Sequence, residues 1–163
     1  MVPAVTPDGQ TLFFLMQAER GQSLWMRKLP GGQPKRMLDG FATAPFVSPD
    51  GKTVLFLTSV RATDSEALRA QAWVMWIDGS RVTHRIDVPR TATVVRWNAD
   101  GTGIAYIQTE NVWVQPFDGG KPRQITHFDD QRILDFRFSP DGQRLAVTRT
   151  QETSDIVLVH GVK

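Results

Sequence analysis

Short apolar runs recur along the chain, and each is bounded by residues that favour turns. Four of them occupy similar positions after such a turn: Leu12–Met16, Val54–Thr58, Ile104–Gln108 and Leu145–Arg149. They are rich in β-branched and aromatic side chains, which favour strands with at least one buried face. Only residues 64–70 suggest a helix, and for them we expect one short turn at most. The pattern therefore predicts an all-β protein.

One five-residue turn phrase introduces each of these runs. It reads Val5-Thr6-Pro7-Asp8-Gly9, Val47-Ser48-Pro49-Asp50-Gly51, Trp97-Asn98-Ala99-Asp100-Gly101 and Phe138-Ser139-Pro140-Asp141-Gly142. Proline presets φ for the second position of a type I turn, and the final glycine tolerates positive φ. Each phrase thus predicts a hairpin whose glycine has positive φ and whose aspartate caps local backbone amides.

The turn glycines are separated by 42, 50 and 41 residues, so the chain is an internal repeat. Each unit has three or four predicted strands, called A to D, and a second glycine turn between C and D. The units cover about 1–40, 41–90, 91–130 and 131–163, and the fourth ends at strand C, Ile156–Val159, without its outer strand. Tandem four-stranded units of this length predict a β-propeller made of antiparallel blades, either a single domain over 1–163 or half of an eight-bladed ring.

Composition narrows the possible functions. Nineteen basic and seventeen acidic residues leave a net charge of +2, which is not a nucleic-acid-binding footprint. The chain has no cysteine, hence no disulfide or thiol chemistry. Its longest apolar stretch, Ala72–Ile77, is too short to cross a bilayer, and the first residues lack signal-peptide character. We expect neither nucleic-acid binding nor membrane insertion by this chain.

The repeated phrase also carries a family resemblance. Phe138 to Val147, together with strand Val112–Val114 and the turn Asp118-Gly119-Gly120, resembles the repeat of TolB-type β-propellers. The last third is similar to the C-terminal propeller of bacterial serine/threonine kinases and transcriptional regulators. The resemblance implies a sensory or interaction domain in a periplasmic or other extracytoplasmic setting. TolB-type propellers also accompany the catalytic domain of some serine peptidases.

Residues suited to catalysis or metal binding are not grouped in the sequence. The three histidines, His84, His127 and His160, fall in different units without metal-ligand spacing. There is no Gly-x-Ser-x-Gly nucleophile elbow and no set of kinase motifs. The turn aspartates lie on separate units and cannot converge on one ion. We therefore expect no enzymatic activity, no cofactor and no metal.

The best candidates for a binding surface are two sets of charged side chains. The first is the long loop 61–71, which contains Arg61, Asp64, Glu66 and Arg69 and should project from the face opposite the Pro-Asp-Gly turns. The alternative is a solvated loop without a role. The second set is Arg96 and Arg137, at equivalent places on the innermost strands, where they either bind an anion or pair with Asp135 or another carboxylate between blades.

These observations favour a non-catalytic propeller that binds a protein or a small ligand, as a module of a larger bacterial protein. Two alternatives remain: an accessory or gating propeller of a peptidase or kinase whose catalytic domain is not in this chain, and a self-assembling structural propeller fragment. An open arc of blades leaves two apolar blade faces in water. We therefore expect a homodimer in which two chains close one ring.

Overall fold

The computed structural model describes residues 3–19, 21–61 and 68–150, and in these ranges the chain forms four antiparallel sheets. The first sheet contains β1 (Ala4–Val5), β2 (Thr11–Ala18), β3 (Gly21–Lys28) and β4 (Lys35–Leu38). The second contains β5 (Thr43–Val47), β6 (Thr53–Arg61), β7 (Leu68–Trp76) and β8 (Val82–Asp87). The third sheet contains β9 (Thr93–Trp97), β10 (Gly103–Gln108), β11 (Asn111–Pro116) and β12 (Arg123–Gln124). The fourth has two described strands, β13 (Arg132–Phe138) and β14 (Leu145–Thr150). Strands pair in chain order within every sheet. The all-β propeller prediction is confirmed.

The long loop of the second unit was predicted wrongly. Strand β6 continues to Arg61 and β7 begins at Leu68, with these two residues paired across the hairpin. Residues 68–71, which we assigned to the loop, therefore belong to a strand, and residues 68–70 are not the end of a helical turn. Only 62–67 lie between the strands, outside the described residues, as does the predicted strand Ile156–Val159.

The Pro-Asp-Gly turns have the predicted geometry. Gly9, Gly51, Gly101 and Gly142 have φ of 69°, 71°, 73° and 70°. In the second turn, the Ser48 hydroxyl donates to Asp50 Oδ1 at 2.6 Å and accepts from the Thr53 amide at 3.0 Å. Asp50 Oδ1 also accepts from the Lys52 amide at 3.1 Å, as predicted for a capping carboxylate. These bonds join the two ends of the turn, so the strands leave it in a fixed register.

The third turn has Asn98 in place of the serine or threonine of the other turns, and it also uses the hydroxyl of Thr102. Asn98 Oδ1 accepts from the Gly103 amide at 3.0 Å, and its Nδ2 donates to Thr102 Oγ1 at 3.2 Å. Thr102 Oγ1 then donates to Asp100 Oδ1 at 2.5 Å. The longer network gives the same turn although alanine stands in place of proline.

The sheets stack face to face, and successive residues of one central strand pack against different neighbouring sheets. On β6, Val54 and Phe56 pack against the first sheet while Leu55 packs against the third. On β10, Ile104 and Tyr106 face the second sheet, whereas Ala105 and Ile107 face the fourth. Both faces of these central strands are buried, which explains why their sequences are almost continuously apolar.

An aromatic pair recurs on the face that each sheet turns towards its predecessor. In the second and third sheets the pairs are Phe56 with Trp73 and Tyr106 with Trp113, directly opposite each other on neighbouring strands. The first sheet has the same arrangement in Phe14 and Trp25. These three pairs identify one type of blade face.

In the first sheet, that face is not covered by another described sheet. Phe14 and Trp25 are half-buried, and on the same face Val5 is 50% and Met16 44% exposed. Its Trp25 Nε1 is buried without a hydrogen-bond partner among the described residues, whereas Trp73 Nε1 donates to Gln71 at 2.9 Å. We call this surface the open face of the first sheet.

The turns form a second set of contacts between neighbouring sheets. A Cβ built at Gly51 would lie 3.1 Å from Pro7 Cδ, and one at Gly101 would lie 3.4 Å from Pro49 Cδ. At Gly142 the neighbour is Ala99 Cβ, at 3.1 Å. A Cβ at Gly9 would have no heavy atom within 4 Å in the described structure. Each turn thus lies against the preceding one, except at the open face.

Candidate functional site

The structure places the six predicted surface residues in two separate regions. Arg61 and the exposed Arg69 lie at the end of the second sheet that is away from the turns, and Asp64 and Glu66 lie outside the described residues. Arg96 and Arg137 lie close to the turns, at the ends of innermost strands β9 and β13. Nine residues of extended β6 separate the two ends by roughly 27 Å. The two sets therefore do not form one site.

Arg96 and Arg137 line the same cavity, which we call the channel cavity. It has a volume of about 490 Å³ and is bordered by residues from all four innermost strands. Its walls are mostly apolar and include Ala4, Phe46 and Phe138. Two guanidinium groups in an apolar concave surface form a suitable environment for an anion.

Arg96 is held in place by two contacts. Its Nη2 donates to Asp135 Oδ1 at 2.7 Å and its Nε to the same oxygen at 3.3 Å. The guanidinium carbon lies 5.3 Å from the Phe46 ring centroid, a cation–π contact. The alternative prediction, pairing with Asp135, is confirmed for Arg96. Arg137 is exposed and makes no ion pair with any residue that the structure describes.

Hydrogen bonds and the nearby guanidinium charges together lower the pKa of Asp135. Partial burial alone would raise the pKa of this carboxyl, but hydrogen bonds from Arg96 and the Phe136 amide lower it. The charges of Arg96 and Arg137 act in the same direction, so the pKa of Asp135 lies below its usual value. One carboxylate against two guanidinium groups leaves the cavity with a net positive charge.

A second concave site lies between the second and third sheets, at the turn end. This aromatic cavity has a volume of about 320 Å³, and its lining includes Trp76, His84, Trp97 and Phe117. The His84 and Phe117 rings stack with centroids 4.5 Å apart, and Phe117 meets the edge of Trp97 at 5.7 Å. Trp76, at 40% exposure, has the largest exposed fraction of the tryptophans.

Charged groups at the aromatic cavity come from two turns. Asp50, Lys52 and Asp100 all contribute to its lining. The Ser48 hydroxyl lowers the pKa of Asp50, and the Thr102 hydroxyl and amide lower that of Asp100, so both carboxyls are ionised at neutral pH. Lys52 Nζ lies 3.9 Å from Asp50 Oδ2 and offsets part of that charge.

Sequence analysis missed the aromatic cavity because its residues are distant along the chain. Trp76 and His84 belong to the second sheet, and Trp97 and Phe117 to the third. No motif joins them. The available signal was the repeat itself, since aligning the units places Phe117 immediately after a strand whose counterpart ends at Trp76.

Among the described residues, no three histidine, aspartate or glutamate side chains are placed together in a way that could hold an ion. The turn aspartates use one carboxylate oxygen each to cap backbone amides. None of the described segments is a helix long and apolar enough to cross a lipid bilayer.

Four stacked antiparallel sheets with their first strands around a common channel define a β-propeller domain. More narrowly, residues 48–135 match the family described as the dipeptidyl peptidase IV (DPP IV) N-terminal region, and the chain belongs to that family. No curated protein matches the chain in sequence.

Several solved structures share the fold. TolB from Acinetobacter baumannii superposes with a TM-score of 0.70 at 19% identity, over 94% of this chain and 38% of that protein. The β-propeller domain of the Trilobed protease from Pyrococcus furiosus gives 0.66 at 17% identity, over 94% and 49%. Pyrococcus horikoshii acylaminoacyl peptidase gives 0.64 at 16% identity, over 89% and 27%. The chain thus spans between about a quarter and a half of these proteins, and the TolB-like propeller fold is confirmed.

Proposed function

We propose that this chain is a non-catalytic propeller module, with its units acting as blades, and that it binds an anionic group of a protein or small ligand in the channel cavity. The observation that supports this is the placement of Arg96 and Arg137 in one apolar-walled cavity. Asp135 fixes Arg96, while Arg137 is available to a ligand. A carboxylate held by an arginine at a partly apolar site gains a charge-assisted hydrogen bond.

The proposal is tested with a fluorescent octapeptide of alternating aspartate and glycine, measured by fluorescence anisotropy. We expect Arg137→Gln to weaken binding roughly tenfold or more, the equivalent of one charge-assisted hydrogen bond. Arg123→Gln is the matched control, because Arg123 is also exposed but lies on the outer strand β12. Equal affinities for the two variants would remove the channel cavity as the binding site.

A second candidate function is an accessory propeller of a serine peptidase. Membership of the DPP IV N-terminal region family and the peptidase propellers among the structural neighbours favour it. A fluorophosphonate probe, which labels serine hydrolases, distinguishes an accessory propeller of a peptidase from a separate binding module. Extracts are treated with the probe and then analysed with an antibody against this chain. A labelled band recognised by the antibody indicates an attached serine hydrolase, whereas an unlabelled band supports a separate binding module.

We further propose that two chains associate through the open face of the first sheet. On this face Phe14 is only half-buried, whereas its counterparts Phe56 and Tyr106 are fully buried in the second and third sheets. Gly9 also lacks the neighbouring turn that the other turn glycines have. At the other end of the arc, Ala146 is exposed and occupies the position of Ala105, which packs against the fourth sheet. In the ring that we propose, the open face of a second copy would cover this surface.

Light scattering tests this association. We expect a mass near twice 18.3 kDa for the parent chain and a monomer for Phe14→Arg, which places a charge on the open face. Arg123→Gln, an exposed site on the outer strand β12 of the third sheet, should remain dimeric. A concentration-independent monomer of the parent chain would refute the dimer.

A further inference from the structure

We propose that the aromatic cavity is a second binding site and that it takes an alkylated ammonium cation, such as a quaternary ammonium group. This site adjoins the channel cavity, with which it shares Pro49 and Trp97, but it carries charge of the opposite sign. Four aromatic side chains from two sheets contribute to its lining, together with two ionised carboxylates. Nothing in the proposal depends on the anion site.

The aromatic residues supply the first part of the argument. A cation with methyl groups is attracted by the negative face of an aromatic ring and buries apolar surface there, and the effect is strongest for tryptophan. Trp76 is exposed at the cavity, and the stacked His84 and Phe117 are supported from behind by the buried Trp97. Trp97 itself is fixed, because its Nε1 donates to the Phe46 carbonyl at 2.9 Å. The Trp97 ring is therefore held in place before any ligand arrives.

The carboxylates supply the second part. Asp100 Oδ1 accepts both the amide and the hydroxyl of Thr102, which fixes the side chain in its turn. The Asp100 side chain is exposed and contributes to the lining of the cavity. Two carboxylates against the single ammonium of Lys52 leave the lining with a negative balance. A neutral apolar ligand would gain nothing from these charges, and an anion would be repelled by them.

A cavity of about 320 Å³ is at the lower end of the range that suits small ligands. It is therefore of a size for a choline-like headgroup or for the end of a methylated lysine side chain. The two sources present the same chemistry, a methylated ammonium on a short apolar stem, and the experiment separates them.

The test is a titration of the whole chain followed by NMR, with choline and with 3,3-dimethylbutan-1-ol, its uncharged isostere. We expect choline to bind about 2- to 30-fold more tightly than the isostere, the range given by one or two cation–π contacts. A tripeptide with trimethyllysine, titrated in parallel, identifies the source: tighter binding of the peptide indicates a protein partner, and tighter binding of choline a free small cation. Equal affinities for choline and its isostere, or no binding of either cation, would overturn the proposal.

Two variants locate the site. Trp76→Leu should weaken cation binding at least severalfold, and Asp100→Asn should do the same while keeping an oxygen for the turn hydrogen bonds. The matched control is Asp118→Asn, since Asp118 caps the Gly120 amide in another turn of the third sheet and is not among the cavity residues. Circular dichroism shows whether each variant is folded. If Trp76→Leu is unfolded, the cation affinity of Asp100→Asn alone tests the location of the site. Unchanged affinity in a folded Asp100→Asn would refute the site, while Arg137→Gln should leave cation binding intact.

Discussion

Replacing Gly51 with alanine separates two consequences of the turn geometry, backbone strain and contact between neighbouring sheets. Gly51 has φ of 71° and its added Cβ would lie 3.1 Å from Pro7 Cδ. Gly9 is a natural control, with φ of 69° and no heavy atom within 4 Å of the built Cβ. Both substitutions introduce the same strain, but only Gly51→Ala also introduces a close contact.

The expected magnitudes follow from these distances. A non-glycine residue with positive φ costs about 1 kcal/mol, which we expect for Gly9→Ala. Carbon atoms in contact prefer 3.5–4.0 Å, so the alanine at position 51 would be about half an ångström too close to a rigid proline ring. Overpacking of this kind adds a cost on the order of 1 kcal/mol or more. We therefore expect Gly51→Ala to destabilise the protein by about 2–3 kcal/mol.

Urea unfolding followed by tryptophan fluorescence measures both values, provided that the transitions share one slope. Gly142→Ala extends the series, because its Cβ would lie 3.1 Å from Ala99 Cβ. We expect the loss of stability in Gly142→Ala to be close to that in Gly51→Ala and larger than that in Gly9→Ala. If Gly9→Ala and Gly51→Ala are equally destabilising, the contact between neighbouring turns has no energetic role and the reasoning is wrong.

Three further predictions concern single turns and hairpins. The pKa of Asp50 is lowered by the Ser48 hydroxyl, so its contribution to stability is present above the ordinary carboxyl pKa and is lost as pH falls below about 4. Asp50→Asn should flatten this part of the stability–pH curve, and an unchanged curve would contradict it. Thr109 and Glu110 have φ of 48° and 61° in a two-residue hairpin loop. Because Asn-Gly favours positive φ at both positions, replacing them with this pair should raise the free energy of unfolding by about 1 kcal/mol. Urea unfolding measures this, and a lower urea midpoint would contradict it. Because Arg61 pairs with Leu68, Asn-Gly in place of 62–67 should preserve the circular dichroism spectrum and the urea midpoint, and loss of folding would show that the segment is structural.

Much of the fold could be predicted because its determinants are local. The turn phrase specifies a glycine with positive φ, a capping aspartate and two flanking strands, and all three are found at Ser48 to Thr53. The end of β6 was harder to place. The charged segment 61–71 suggested a loop, but Gln71 and Arg69 pair with Thr58 and Val60 in a strand that extends beyond its buried part. Leu68, Ala70 and Ala72 do alternate with Arg69 and Gln71 as in a strand, but the alternation is weak because two of the three apolar residues are alanines.

The candidate sites could be predicted only in part, since they are formed by side chains from different sheets. The equivalence of Arg96 and Arg137 in the repeat was enough to place both near the channel. For the aromatic cavity the repeat gives only the positions of Trp76 and Phe117 at the ends of equivalent strands, and their side chains meet only after the second and third sheets have stacked. The angle and offset of that stacking are properties of tertiary packing, which spacing along the chain does not encode.

The recurring aromatic pair has a consequence for how such a chain can change in length. Phe14 with Trp25, Phe56 with Trp73 and Tyr106 with Trp113 present the same type of surface to the preceding blade. Inserting one residue in β10 would exchange its two faces and damage both neighbouring contacts at once. Inserting or removing a whole unit would instead join surfaces that already match. Duplication and loss of entire blades are therefore the changes that this architecture tolerates best, and the number of blades can vary between relatives while each junction keeps the same chemistry.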